Sequence, residues 1–256
     1  MNLQNILTEI EKVDADVYER LDHVSRRHVF HNFLKKALTG VAPVAFGAIL
    51  NKAYAQSSVV TDVLNFALTL EYLEAEFYNR GLASPNLITG MEGWNTFQQI
   101  AKHENAHVAL LKSALGGAAI PKPNFDFSAK GAYPDTFSNY RTFMALAQAF
   151  EDTGVRAYKG QAGNLISAPD ILTVALQIHS VEAMHAAKVR YLGGSRGWIM
   201  GASGSPSAVY SGEDVRVEGG VDVVNLTGLG VDQVTGAFDE PLTKEQVLAI
   251  ATPFLA

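Results

Sequence analysis

Glu71, Glu104, Glu151 and Glu182, with His107 and His185, are the residues of this chain whose types and spacing could do chemistry. They form one pattern written twice. Glu71 is followed seven residues later by Tyr78, and then by Glu104-x-x-His107; Glu151 is followed seven residues later by Tyr158, and then by Glu182-x-x-His185. The two Glu-to-Glu gaps are 33 and 31 residues. A single Glu-x-x-His is weak, because 14 Glu and 7 His in 256 residues give roughly 0.4 such pairs by chance. Two pairs, each preceded by Glu-x6-Tyr at nearly the same distance, are much harder to reach by accident. Residues three apart share a helix face, so each pair can point into a core. Both pairs lie in apolar segments, where a lone charge is costly. Four carboxylates and two imidazoles from four helical segments are what a four-helix bundle needs to hold two metal ions.

Composition narrows the chemistry. With 48% hydrophobic and 18% charged residues, the bulk of the chain is globular. Its net charge of −6 argues against a phosphate-binding surface, and so against nucleic acid as a partner. The chain has no cysteine, which excludes disulfides, thiolate metal sites, iron–sulfur clusters and thiol catalysis. A metal here must be held by oxygen and nitrogen. That ligand set suits iron or manganese, and pairing four carboxylates with two divalent cations neutralises charge that could not otherwise be buried.

The elements that must position these residues follow from periodicity and breakers. Residues 58–82 predict a first helix, apolar around much of its circumference through Val60, Val63, Leu64, Ala67, Leu68, Leu70 and Leu73, and ended by Gly81 and Pro85. Residues 94–116 predict a second, stopped by Gly116-Gly117. Residues 117–134 carry Pro121, Pro123 and Pro134 and show no period, so they read as a long crossover. A third helix is expected over 135–161 and a fourth over about 169–192, ending at Gly193-Gly194. The fold class is therefore all-α, a four-helix bundle with a long crossover between helices 2 and 3 and an irregular C-terminal extension. The extension, 193–256, holds short alternating pieces at Val215–Val217 and Val221–Val224. Thr243-x-x-Gln246 predicts a capping box that opens a last short helix. The tail has no catalytic motif and reads as a structural cover or assembly surface.

Three domains are expected: a leader over 1–55, a bundle over 56–192 and the extension over 193–256. The leader places Arg26-Arg27 and Lys35-Lys36 before an uncharged run from Ala37 to Leu50 and the small-x-small site Ala53-Tyr54-Ala55. That order is the order of an export signal, and the adjacent arginines make it similar to a twin-arginine signal. Val29 stands where that pattern favours Phe. The apolar run is too short to read as a spanning helix, so no stable membrane span is expected after signal cleavage, and the reading is export to the periplasm.

The stretch from about 58 to 192 resembles the ferritin-like superfamily of di-metal carboxylate proteins, which includes bacterioferritins, rubrerythrins and manganese catalases. With Leu70-Glu71-Tyr72-Leu73-Glu74-Ala75-Glu76-Phe77-Tyr78, the whole chain is also similar to exported bacterial ferritin-like domain proteins related to plant desiccation-associated proteins. The resemblance implies two iron or manganese ions. It implies that Glu71 and His107 bind one and Glu151 and His185 the other, with Glu104 and Glu182 bridging. Tyr78 and Tyr158 resemble tyrosines that hydrogen-bond to ligand carboxylates in that superfamily. Many relatives carry an acidic residue just before the last motif's Glu to orient a ligand histidine; here Val181 stands there, so another group must do that work. His179, three residues before Glu182, and His103, four before His107, are the candidates for that role or for an extra ligand. Glu74 rivals Glu71 as the first helix's ligand, and Glu76 is expected to face solvent.

The resemblance implies an oxidoreductase-type centre reacting with oxygen or peroxide, as a ferroxidase, peroxidase or catalase-like protein. Without cysteine there is no rubredoxin-type electron-transfer centre, so a complete rubrerythrin mechanism is not expected. The alternative is a non-enzymatic exported stress or interaction protein with a structural or vestigial metal site. A homodimer is the assembly considered, and the residues after the fourth helix weigh against a cage of many subunits.

Overall fold

The structure, a computed structural model, describes residues 58–256. The expected export leader lies outside the described residues. Four long helices carry the core: α1 (Ser58–Ala83), α2 (Met91–Leu115), α3 (Tyr140–Gln161) and α4 (Pro169–Leu192). α1 packs chiefly on α2, and α3 on α4. The fold is an all-α bundle with its long connection between α2 and α3, as the sequence predicts.

Local chemistry sets the helix ends. Asn139 caps α3 by accepting a hydrogen bond from the Arg141 amide at 3.0 Å. This places the start of α3 five residues later than the period suggests. Asp135 to Asn139 instead form a turn, in which Asn139 also binds the Asp135 carboxylate at 2.7 Å. Pro169 opens α4, where its missing N–H costs nothing. Gly116, at φ 55°, ends α2 in a backbone conformation that favours glycine.

The core contains a run of aromatic rings. Phe77 of α1 stacks on Phe143 of α3 at 4.6 Å and meets Phe150 edge-on at 5.0 Å. Phe97 of α2 packs edge-on against Phe143 at 5.0 Å. Phe77, Phe97 and Phe143 are fully buried, and each contributes on the order of 1.5–3 kcal/mol through burial. The crossover is held at both ends. Asn65 of α1 donates to Ala118 O and accepts from Ile120 N, both at 3.0 Å. Farther along, Phe125 forms an isolated antiparallel bridge with Leu255 near the C-terminus.

The extension folds back over α1 and α3. Its predicted strands shrink to β1 (Val217–Glu218) and β2 (Val221–Asp222), an antiparallel pair. Val223 and Val224 join the short helix α5 (Val223–Thr227) instead, capped by Asp222. α6 (Val231–Thr235) and α7 (Lys244–Ala251) follow. The capping box at Thr243 and Gln246 is present in both directions. Val209, Tyr210, Leu242, Val247 and Ile250 form a second core with Phe66 and Leu70 of α1 and Ala149 and Ala157 of α3. Gly160 permits the close approach: a Cβ there would lie 2.0 Å from the Leu242 carbonyl oxygen.

Two buried ion pairs fix this cover. Arg156 of α3 pairs with Glu213 at 2.8 Å, with both side chains fully buried. The same guanidinium donates to the carbonyls of Val209, Ser211 and Glu240. Asp152 of α3 is bound by Arg190 of α4 and accepts from the Tyr210 hydroxyl at 2.8 Å. Burial pushes the Asp152 carboxyl up to about 6 against the pull of Arg190. Burial likewise pushes Glu213 up to about 7 against Arg156. No helix among the described residues is long and apolar enough to cross a membrane.

Candidate metal centre

Each long helix delivers carboxylate to the middle of the bundle. Glu71 comes from α1, Glu104 with His107 from α2, Glu151 from α3, and Glu182 with His185 from α4. All four glutamates are fully buried, and the two histidines nearly so. The i, i+3 spacing puts Glu104 and His107, and Glu182 and His185, on the inward faces of their helices.

The donor atoms fall into two groups. Glu71, Glu104, His107 and Glu182 form one; Glu104, Glu151, Glu182 and His185 form the other. Within each group the donor atoms lie within 4.8 Å of one another. Glu104 and Glu182 belong to both, so the groups are adjacent and share an edge. Both histidines face the cluster through Nδ1. His107 Nδ1 lies 3.1 Å from Glu71 and from Glu104, and 3.3 Å from Glu182. His185 Nδ1 lies 2.8 Å from Glu104 and 3.2 Å from Glu151.

Two tyrosines cross-link the carboxylates. Tyr78 of α1 donates to Glu151 of α3 at 2.5 Å, and Tyr158 of α3 donates to Glu71 of α1 at 2.5 Å. Each glutamate is thus held by the tyrosine that follows the other glutamate in sequence. Burial, with the anionic cluster beside it, raises both phenol pKa values well above the ordinary range, so the hydroxyls remain donors.

Burial and crowding distort the titration of the carboxylates. Burial raises Glu71 to about 7, with His107 opposing. Burial and the neighbouring carboxylates raise Glu182 well above the usual range. Burial also acts to raise Glu104, but hydrogen bonds from His107 and His185 outweigh it and hold that carboxyl at about 2. Burial lowers the imidazoles, and the surrounding carboxylates overcome it: His185 is pushed up to about 11, and His107 is raised as well. Protons therefore balance the buried negative charge in this arrangement. Several donors still lack hydrogen-bonding geometry: Glu104 Oε1, Glu151 Oε2, both oxygens of Glu182, and His185 Nδ1. His185 Nδ1 and Glu104 Oε1 are close, at 2.8 Å, but poorly aligned for a hydrogen bond. Buried orphan oxygens and an orphan imidazole nitrogen converging on one volume fit a cation better than each other.

The remaining candidates separate. His179 lies away from the cluster, with the Val155 backbone as its hydrogen-bonding neighbour and Lys159 and Asp239 as its charged ones. This departs from the role beside the metals expected for it: it sits three residues from Glu182 but is absent from both donor groups. His103 takes a different position, with Nδ1 2.8 Å from His185 Nε2 and the two rings nearly coplanar, their centroids 5.1 Å apart. Glu74 is buried beside Glu182, and burial with four neighbouring carboxylates raises its pKa well above normal. It is absent from both donor groups. Glu76 is half-buried rather than free in solvent, and Lys122 holds it at 2.5 Å. Gly154 of α3 leaves the room these acids occupy, since a Cβ there would lie 3.1 Å from Glu182 Oε2 and 3.3 Å from Glu74 Oε1.

Comparison with known proteins agrees with this geometry. The model of the ferritin-like domain matches residues 59–195, which span α1 to the end of α4. No curated protein matches the chain. The match covers more than half of the sequence and contains all six acidic and imidazole residues of the cluster, and the chain belongs to the ferritin-like domain family.

Proposed function

We propose that the cluster is a dinuclear metal centre for iron or manganese that reacts with dioxygen or hydrogen peroxide. The observation that carries this reading is the pair of donor groups sharing Glu104 and Glu182. Glu71 and His107 would hold one ion, Glu151 and His185 the other, and Glu104 and Glu182 both. When bound, two adjacent redox-active ions would supply Lewis acidity and share the electrons of the reaction. The carboxylate and imidazole donors suit either metal.

The chain's own residues orient and insulate this site. Tyr78 and Tyr158 each fix one oxygen of a terminal carboxylate, leaving the other free to face the centre. The aromatic core beside Tyr78 excludes water from one flank. The extension closes the outer faces of α1 and α3 through its own core. We also propose that the chain acts outside the cytoplasm, exported by the leader read at Arg26-Arg27; Lys at both positions should then retain it inside the cell, and unchanged export would refute this.

The activity is tested by peroxide consumption. Protein loaded with manganese or iron should consume hydrogen peroxide or dioxygen, and Glu104→Ala should abolish turnover. Equal rates from the two proteins would refute a redox role and favour a structural site.

A further inference from the structure

We propose that His103 is the positioning residue for His185; this rests on the metal-centre reading above. Three observations carry it. His103 Nδ1 lies 2.8 Å from His185 Nε2. The two rings are nearly coplanar, with an interplanar angle of 12° and centroids 5.1 Å apart, and meet edge to edge through these nitrogens. On its far side, His103 Nε2 lies 2.7 Å from Nε2 of Gln99, one turn earlier on α2.

A metal ion at the cluster would set one direction along these contacts. His185 points Nδ1 at Glu104 and Glu151, so Nδ1 is the atom that would face a metal ion. An imidazole that offers its Nδ1 lone pair carries its proton on Nε2. That N–H then donates to His103 Nδ1. His103 must in turn carry its proton on Nε2 and donate it to Gln99. Gln99 Nε2, itself a donor, stands there in the structure, so accepting this proton requires the exposed Gln99 carboxamide to turn over and present its oxygen, an O/N exchange that atom shape does not decide. Each member has one donor and one acceptor assigned, and the chain closes at the exposed end of Gln99.

The arrangement makes the two halves of the cluster unequal. Ligand histidines usually donate their second N–H to a carboxylate or a carbonyl, which raises their basicity. His185 donates instead to a neutral imidazole, a weaker acceptor than a carboxylate. The in-plane contact with His103 also restricts His185 to one rotation. Fixing the ring and tautomer of a ligand histidine is worth on the order of 10–100-fold in metal affinity.

The test uses the full chain, stripped of metal and titrated with Co²⁺ by calorimetry. His103→Phe keeps a planar ring but removes the acceptor. His103→Asn places its side-chain oxygen where Nδ1 stands. His103 is only half-buried, so both variants should fold, as circular dichroism will report. The expected result is that the phenyl variant loses about 10–100-fold in affinity for one of two equivalents, while the asparagine variant stays near wild type. Ring ¹⁵N spectra of the Zn²⁺-loaded protein should show both His103 and His185 protonated on Nε2. Two metals bound equally well by wild type and the phenyl variant would overturn the role of His103 alone, as would His185 protonated on Nδ1. A wild type that takes up no metal would overturn the metal centre, and this role with it.

Discussion

The hydroxyl of Tyr158 on α3 donates to Glu71 on α1 at 2.5 Å, and Tyr78 on α1 returns the same bond to Glu151 on α3. The two bonds cross the bundle in opposite directions and relate the two halves of the cluster. They also explain the sequence pattern. Seven residues are about two helical turns, so a glutamate and the tyrosine that follows it lie on the same side of one helix, at different levels. Each tyrosine therefore reaches the glutamate of the facing helix rather than its own.

Removing either hydroxyl should have similar effects. Tyr78→Phe and Tyr158→Phe are each expected to lower metal affinity by roughly 10–100-fold. Each should cost the metal-free fold about 1–3 kcal/mol, because a buried carboxylate oxygen loses its donor. Competition against a chromophoric chelator measures the first effect, and urea unfolding the second.

Gly154→Ala separates stability from binding. In a helix the change is worth roughly 0.5–1 kcal/mol in favour of alanine. The added Cβ, however, would stand 3.1 Å from Glu182 and 3.3 Å from Glu74 and would push Glu182 away from the shared edge. The variant should fold with a melting temperature close to wild type without metal, and lose most of the increase that metal gives. Thermal melts with and without Mn²⁺ check both parts.

Metal binding should depend steeply on pH. His185 is protonated up to about 11 in the metal-free site, and His107 is raised in the same direction. Glu71 keeps its proton up to about 7, and Glu182 holds its own well above the usual range. All must give up protons to bind metal, so loading releases protons and affinity falls as pH falls. Calorimetry in buffers of different ionisation heat, near pH 7, should show about one proton released per imidazole and more from the carboxylates.

The cover depends on Arg156. Replacing it with alanine strands Glu213, which is fully buried, and removes donors from the Val209, Ser211 and Glu240 carbonyls. A loss of about 3–5 kcal/mol is expected from breaking such a pair. Faster proteolysis within residues 193–256 than within the bundle would show that the extension detaches first.

The sequence made the bundle and the cluster legible for the same reason. Periodicity of 3.6 and breakers at Gly81, Gly116 and Gly193 mark the helices, and i, i+3 pairs mark an inward face. The second set of polar contacts was not legible. Arg156 meets Glu213, and Asp152 meets Arg190 and Tyr210, at separations that no helical or strand period generates. His103 and His179 show the limit from another side. Both lie within a turn of a cluster glutamate, and spacing alone gives no preference between them. The run His103-Glu104-x-x-His107 even has the spacing that puts two imidazoles on one zinc ion in metalloproteases. The packing of α2 beside α4 decides the matter, turning His103 onto His185 while His179 faces Val155.

The most direct measurement is the metal content per chain, by mass spectrometry, of protein produced with both iron and manganese available. A dinuclear centre predicts about two equivalents of transition metal in wild type and a large loss in Glu104→Ala, because Glu104 belongs to both donor groups. Wild type that remains free of transition metal after attempted reconstitution would contradict the account.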